Sequence, residues 1–136
     1  MNNENILAQM GQLKMGGMQE AFREQQSHPK HADLSFEDRL SLLLDRELLK
    51  KDANRVQNLQ RRAKLRQAAS IEDINYKSDR GLEKAKVMAL AKCDFVRHHH
   101  NVLITGSTGC GKTYLACALG NQACRLGFKT RYLLLT

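Results

Sequence analysis

No stretch of this sequence is apolar for long enough to cross a membrane, and Met1-Asn2-Asn3-Glu4-Asn5 has neither a basic leader nor an apolar run behind it. Both absences point to a cytoplasmic protein. Cysteine is sparse: Cys93, Cys110, Cys117 and Cys124 contain no C-x-x-C pair, so the common zinc and dithiol patterns are missing and free thiols are expected. Cys117 and Cys124 fall two helical turns apart and read as small buried residues. Proline occurs once, at Pro29, within the loop Ser27-His28-Pro29-Lys30-His31. Acid is also scarce, with 14 Asp and Glu against 22 Lys and Arg, a formal charge of +8. That surplus favours polyanionic partners, nucleic acid first and an acidic membrane surface second.

The residues that organise the rest are Gly106-Ser107-Thr108-Gly109-Cys110-Gly111-Lys112-Thr113, which fit G-x-x-x-x-G-K-[ST]. The flanks are those the pattern needs. Asn101-Val102-Leu103-Ile104-Thr105 reads as a buried strand, and Lys112 to Leu126 carries Leu115, Ala118, Leu119, Ala123 and Leu126 at helical spacing until Gly127. In such a loop, backbone N–H groups meet phosphate oxygens, which calls for glycine where a Cβ would clash or strain the chain. The helix start adds free N–H groups and a positive dipole end; Lys112 reaches the β and γ phosphates, and the Thr113 hydroxyl ligates Mg²⁺. The competing reading is a chance glycine turn between a strand and a helix.

Along the chain, Ile6 to Leu13 reads as a short amphipathic helix broken by Gly16-Gly17, followed by a second with Met18, Ala21 and Phe22 inward. The methionines read as core rather than as an adaptable binding surface. Ser35-Phe36-Glu37-Asp38 opens a long helix to about Arg66, with Leu40, Leu43, Leu44 and Leu48 on one face. Its end gathers Arg55, Arg61, Arg62, Lys64 and Arg66, which is either a solvated face suited to the helix dipole or a contact to a phosphate backbone. Ala68-Ala69-Ser70 is a break, Ser70 caps a single turn, and Asp79-Arg80-Gly81-Leu82 leads into a helix from Glu83 to Arg97 with Val87, Leu90, Ala91 and Phe95 inward. His98-His99-His100 read as a polar lead-in to a strand, since three adjacent histidines do not converge on one metal. Lys129 to Thr136 reads as a second strand after Gly127.

Several stretches together resemble the IstB family, the ATP-binding helpers of insertion-sequence transposases, which are related to the DnaC helicase loaders among the AAA+ ATPases. They are Leu13-Lys14-Met15-Gly16-Gly17-Met18, Leu34 to Leu40, Arg80-Gly81-Leu82, and Asn101 through Ala116. The resemblance implies an α/β fold: a helical basic region at 1–69, then the first βαβ unit of a P-loop ATPase domain at 70–136, incomplete and truncated. It also implies ATP and Mg²⁺ as cofactors, DNA and the transposase of the same element as partners, and self-assembly of the full-length protein. Two loop positions depart from the family, Ser107 in place of proline and Cys110 in place of a small or β-branched residue. The family's acidic strand end, sensor and arginine finger are not among these residues, so hydrolysis by this chain alone is not expected. In the sheet order of the relatives the two strands are not neighbours, which would leave Leu133, Leu134 and Leu135 exposed.

Two functions from different classes compete. One is an ATP-binding helper acting on DNA in transposition; the other is a helical DNA- or transposase-binding module with a vestigial nucleotide site. A small-molecule kinase shares the loop, but such enzymes begin at the phosphate-loop strand. Ile74 and Tyr76 are candidates to wall the base.

Overall fold

A computed structural model describes residues 2–77, 81–107, 109 and 111–135. The chain divides into two units, Met1–Arg55 and Val56–Thr136. In the first, helix α1 (Asn3–Gln12) is capped by Asn2, whose side chain accepts the Asn5 N–H at 2.9 Å. Helix α1 stops at Lys14, in a left-handed conformation with φ 58°; the Lys14 N–H bonds the Gly11 carbonyl and the Met15 N–H the Met10 carbonyl. The break therefore precedes Gly16-Gly17. Those glycines open α2 (Gly16–Ser27) instead.

Gly17 has a packing role. A Cβ built there would stand 2.8 Å from the Arg46 carbonyl oxygen and 2.9 Å from the Glu47 Cα, so its absence lets α2 lie against α3 (Phe36–Ala63). The Ser35 hydroxyl accepts the Asp38 N–H at 3.1 Å, the cap expected of Ser-Phe-Glu-Asp. Met18, Ala21 and Leu43 form the core of this unit, with Met10, Met15, Phe22 and Leu40 packed on it, so the methionines are core residues.

The expected leucine face is only partly inward: Leu43 is buried, but Leu44 and Leu48 are 46% and 67% exposed. Helix α3 is turned so that Glu47, itself buried, faces α2. Its carboxylate accepts the Met18 N–H at 3.0 Å and pairs with Lys51 at 3.4 Å. A carboxylate from another helix thus caps the start of α2, where the dipole favours negative charge. Arg46 forks onto Glu24 at 2.9 and 3.0 Å, Lys50 reaches Glu20 at 2.6 Å, and Gln25 bonds both the side chain and the backbone carbonyl of Arg39. Pro29 sits at the start of a 3-10 turn, Pro29–Asp33.

In the second unit, the last turns of α3 stop at Ala63 rather than near Arg66, because Lys64 is left-handed (φ 51°). A 3-10 turn at Ile71–Asp73 begins at Ser70, whose side chain makes no cap bond. The helix expected from Glu83 to Arg97 forms as two, α4 (Lys84–Ala91) and α5 (Asp94–Arg97). Between them Cys93 is fully buried with φ 58°, and its N–H bonds the Leu90 carbonyl at 2.9 Å. A non-glycine residue there costs about 1–2 kcal/mol, which burial of its side chain offsets. After α5, His99 is left-handed, with the His99 N–H on the Val96 carbonyl and the His100 N–H on the Phe95 carbonyl. The histidines are a helix stop, where the sequence suggested a strand lead-in.

Helix α6 (Lys112–Arg125) is the centre of this unit. Cys117, Ala118, Leu119, Ala123 and Cys124 are buried along it, and the core adds Ala69, Ile71, Ile74, Val87 and Ala91. Gly127 ends it at φ 91°, with its N–H on the Cys124 carbonyl and the Phe128 N–H on the Ala123 carbonyl.

The α/β architecture expected for 70–136 is overturned: among the described residues there is no strand, and no βαβ unit forms. The segments on either side of α6 do not pair. Tyr132 donates its N–H to the Ala63 carbonyl at 2.8 Å instead, while Ile104 and Tyr132 pack on the core. Apolar, β-branched composition marks a segment that fits a pleated surface, but a strand exists only when its N–H and C=O groups meet a partner ladder. Leu103, Leu133, Leu134 and Leu135 are 90%, 73%, 63% and 95% exposed accordingly. Thr136 and the Asp79-Arg80 part of the α4 lead-in lie outside the described residues. Among the described residues no helix is long and apolar enough to cross a membrane.

Candidate nucleotide site

The glycine loop leads straight into α6, so the end of one segment and the start of one helix build the site. Gly109 and Gly111 are left-handed, with φ 84° and 91°, conformations that a Cβ would strain. Nothing lies within 4 Å of a Cβ built on Gly109, so there the constraint is backbone conformation alone. Gly111 is the N-cap of α6 and has no side chain to bond the first-turn N–H groups; among the described residues no other side chain does so. Lys112 folds back over the loop, its ammonium donating to the Gly106 carbonyl. Thr113 is the second residue of α6 and is half-buried. Gly106 and Ser107 are exposed; Thr108 and Cys110 lie outside the described residues.

Beside the loop is a cleft of about 80 Å³, lined by Ile74, Leu82, Ile104, Thr105, Gly111, Lys112, Tyr114 and Leu115. Gly111, Lys112, Tyr114 and Leu115 of this lining come from the start of α6, and Ile74, Leu82 and Ile104 add apolar side chains. Ile74, a candidate to wall the base, lines the cleft. Tyr76 does not; it packs on the core with its hydroxyl buried and without a hydrogen-bond partner among the described residues, and with Lys84 Nζ 6.0 Å from its ring. Leu82 and Tyr114 were not legible as lining residues, although Tyr114 follows Thr113 directly.

The basic residues divide. Arg55 pairs with Asp52 at 2.6 Å, one turn away on α3. Arg61, Arg62, Lys64 and Arg66 are exposed and make no ion pair among the described residues. These four lie at and just beyond the carboxyl end of α3, where cations suit the dipole. Nearby, the Gln60 amide bonds Asn121 of α6 at 2.7 Å, and Arg125 bonds Glu72 at 2.7 Å, fixing α6 to its surroundings at two points. Arg125 and the backbone of the turn at Glu72 hold that carboxyl below its ordinary value, the backbone hydrogen bond being the larger cause.

Residues 8–136 match the family model described as IstB-like ATP binding protein. A Pseudomonas fluorescens protein named for insertion sequence IS1162 and for ATP binding is 46% identical over 134 residues, which is 98% of this chain and 58% of the relative. A Sinorhizobium fredii protein named for an insertion sequence and ATP binding is 40% identical over 119 residues, 88% of this chain and 49% of the relative. A Geobacillus stearothermophilus protein named for insertion sequence IS5376 and ATP binding is 25% identical over 130 residues, 96% of this chain and 52% of the relative. The chain thus spans about half the length of the curated relatives it matches. With the match running through the glycine loop and both units, the chain belongs to the family of IstB-like ATP-binding proteins of insertion sequences.

Proposed function

We propose that this chain binds ATP with Mg²⁺ through residues 106–113 and serves, in the cytoplasm, as a helper that acts on DNA alongside the transposase of its own element. The observation that carries the nucleotide reading is the passage from left-handed Gly109 and Gly111 into the start of α6, with Lys112 held over the loop. A glycine turn that runs into a helix start is the kind of backbone that offers N–H donors to phosphate oxygens. Lys112 would exchange the Gly106 carbonyl for the β and γ phosphates, and the apolar side chains of the cleft suit the face of a base. The Thr113 hydroxyl would help hold Mg²⁺, which would offset the charge of the phosphates. Among the described residues no carboxylate lines the cleft.

The DNA reading rests on Arg61, Arg62, Lys64 and Arg66, four exposed cations with no ion pair among the described residues. Arg55 is set apart by its pairing with Asp52. The test of the nucleotide site is fluorescent ATP-analogue binding to the parent, Lys112→Ala and Thr113→Ala. Loss of a charge-assisted phosphate contact, about 1.5–3 kcal/mol, predicts roughly ten- to a hundredfold weaker binding for Lys112→Ala. Thr113→Ala should lose most of the gain that magnesium gives the parent. A parent that binds DNA and no nucleotide would leave the helical binding module as the function.

A further inference from the structure

We propose that the outward side of α3, carrying Leu44, Leu48 and Leu49 together with Asp45 and Asp52, docks a basic amphipathic helix of another protein. Scattered exposed leucines need no explanation, but these do not scatter. Leu44 and Leu48 are one turn apart and Leu48 and Leu49 are adjacent, with exposures of 46%, 67% and 69%; Leu42 adds 41% on the same helix. Asp45, Leu48, Leu49 and Asp52 together line a shallow depression. The inward side of this helix is already occupied, by Leu43 in the core and by Glu47 capping α2. Helix α3 therefore has apolar residues on opposite sides, the pattern of a helix meant to be covered twice.

Charge selects the occupant. The basic residues in this stretch of α3 are committed: Arg39 to Gln25, Arg46 to Glu24, Lys50 to Glu20, Lys51 to Glu47 and Arg55 to Asp52. Asp45 has no ion pair among the described residues, and Asp52 holds only an exposed one to Arg55. On a chain of net charge +8, two carboxylates line the depression beside Leu48 and Leu49: Asp45, and Asp52 with its ion pair to Arg55. A second copy would set the same acids against themselves, which like-charge repulsion disfavours. A helix with a leucine-type stripe flanked by Lys and Arg satisfies both features. The surface lies wholly within Met1–Arg55 and stands independently of the nucleotide reading.

The test is fluorescence anisotropy with the full chain and a labelled helical peptide of about five turns (~18 residues), its leucine stripe flanked by lysine. A peptide with glutamate in place of lysine is the comparison. We expect the lysine peptide to bind at least about tenfold more tightly, Leu48→Ser/Leu49→Ser to lose about tenfold or more, and Asp45→Asn/Asp52→Asn to lose about three- to tenfold with a flatter salt dependence. Leu13→Ser, which removes another exposed leucine, should leave binding unchanged, and far-UV circular dichroism should show all variants helical. Equal binding of the two peptides, or no effect of the serine pair, overturns the proposal. So does concentration-dependent self-association of the peptide-free chain that the serine pair abolishes, since the occupant is then a second copy.

Discussion

Two adjacent glycines in α2 should respond to alanine with opposite signs. At Gly17 the new Cβ meets only backbone, 2.8 Å from the Arg46 oxygen, 2.9 Å from the Glu47 Cα and 3.1 Å from the Arg46 carbonyl carbon. Backbone inside a helix does not swing aside, so α2 and α3 must part by several tenths of an ångström, disturbing the Glu47 cap on the Met18 N–H. Overpacking of this kind costs about 1–3 kcal/mol, more than the ~0.8–1.0 kcal/mol that alanine gains over glycine in a helix. At Gly16 the nearest atom is the end of the flexible Lys50 side chain, 3.5 Å away. There the propensity gain survives, and Gly16→Ala should be neutral or stabilising by up to about 1 kcal/mol. For a domain of this size, 1 kcal/mol moves Tm by about 4–8 °C, so the two variants should separate clearly. The chain has no tryptophan, and Tyr76, Tyr114 and Tyr132 all belong to the second unit, so tyrosine fluorescence follows that unit while far-UV circular dichroism follows the helices of both. Gly17→Ala should lower the dichroism transition and leave the tyrosine transition in place. A Gly17→Ala protein as stable as Gly16→Ala would refute the close helix approach.

Among the thiols, Cys93, Cys117 and Cys124 are fully buried, and burial pushes the Cys93 thiol above its ordinary value; a thiol reagent should therefore modify Cys110 first, with Mg-ATP slowing it. Mass spectrometry of the labelled chain checks this, and rapid labelling of the buried three would contradict the packing around α6. The hydrogen bond from Lys50 holds the Glu20 carboxyl below its ordinary 4.5, as that from Arg46 does for Glu24. Depressed folded values mean a contribution that is full above the unfolded pKa and lost as pH falls through the folded one, so urea midpoints of the first unit should drop below about pH 4.5, less steeply in Glu20→Gln/Glu24→Gln. Replacing Arg61, Arg62 and Arg66 together by alanine should weaken DNA binding about equally across sequences and flatten its dependence on salt, measured by anisotropy. An unchanged salt slope would return those residues to a solvated helix end.

Some helix ends were local properties and could be read directly. Ser35 capping α3, Gly127 closing α6 and Cys117 with Cys124 buried along it follow from side-chain chemistry and spacing within a few residues. The glycine loop was legible for the same reason, since its pattern constrains contiguous backbone. Other features depend on residues far apart in the chain. The turn of α3 that hides Glu47 and exposes Leu48 is decided by α2, which a helical period alone does not identify. The split at Cys93 depends on a buried site that makes a left-handed cysteine worthwhile. The segments flanking α6 have strand-like composition, but pairing is a relation between two stretches, and here Tyr132 bonds the end of α3 instead. Sequence determined several helix starts and stops and the left-handed glycines that lead into α6; tertiary structure decided which faces are covered, because burial and pairing are properties of partners.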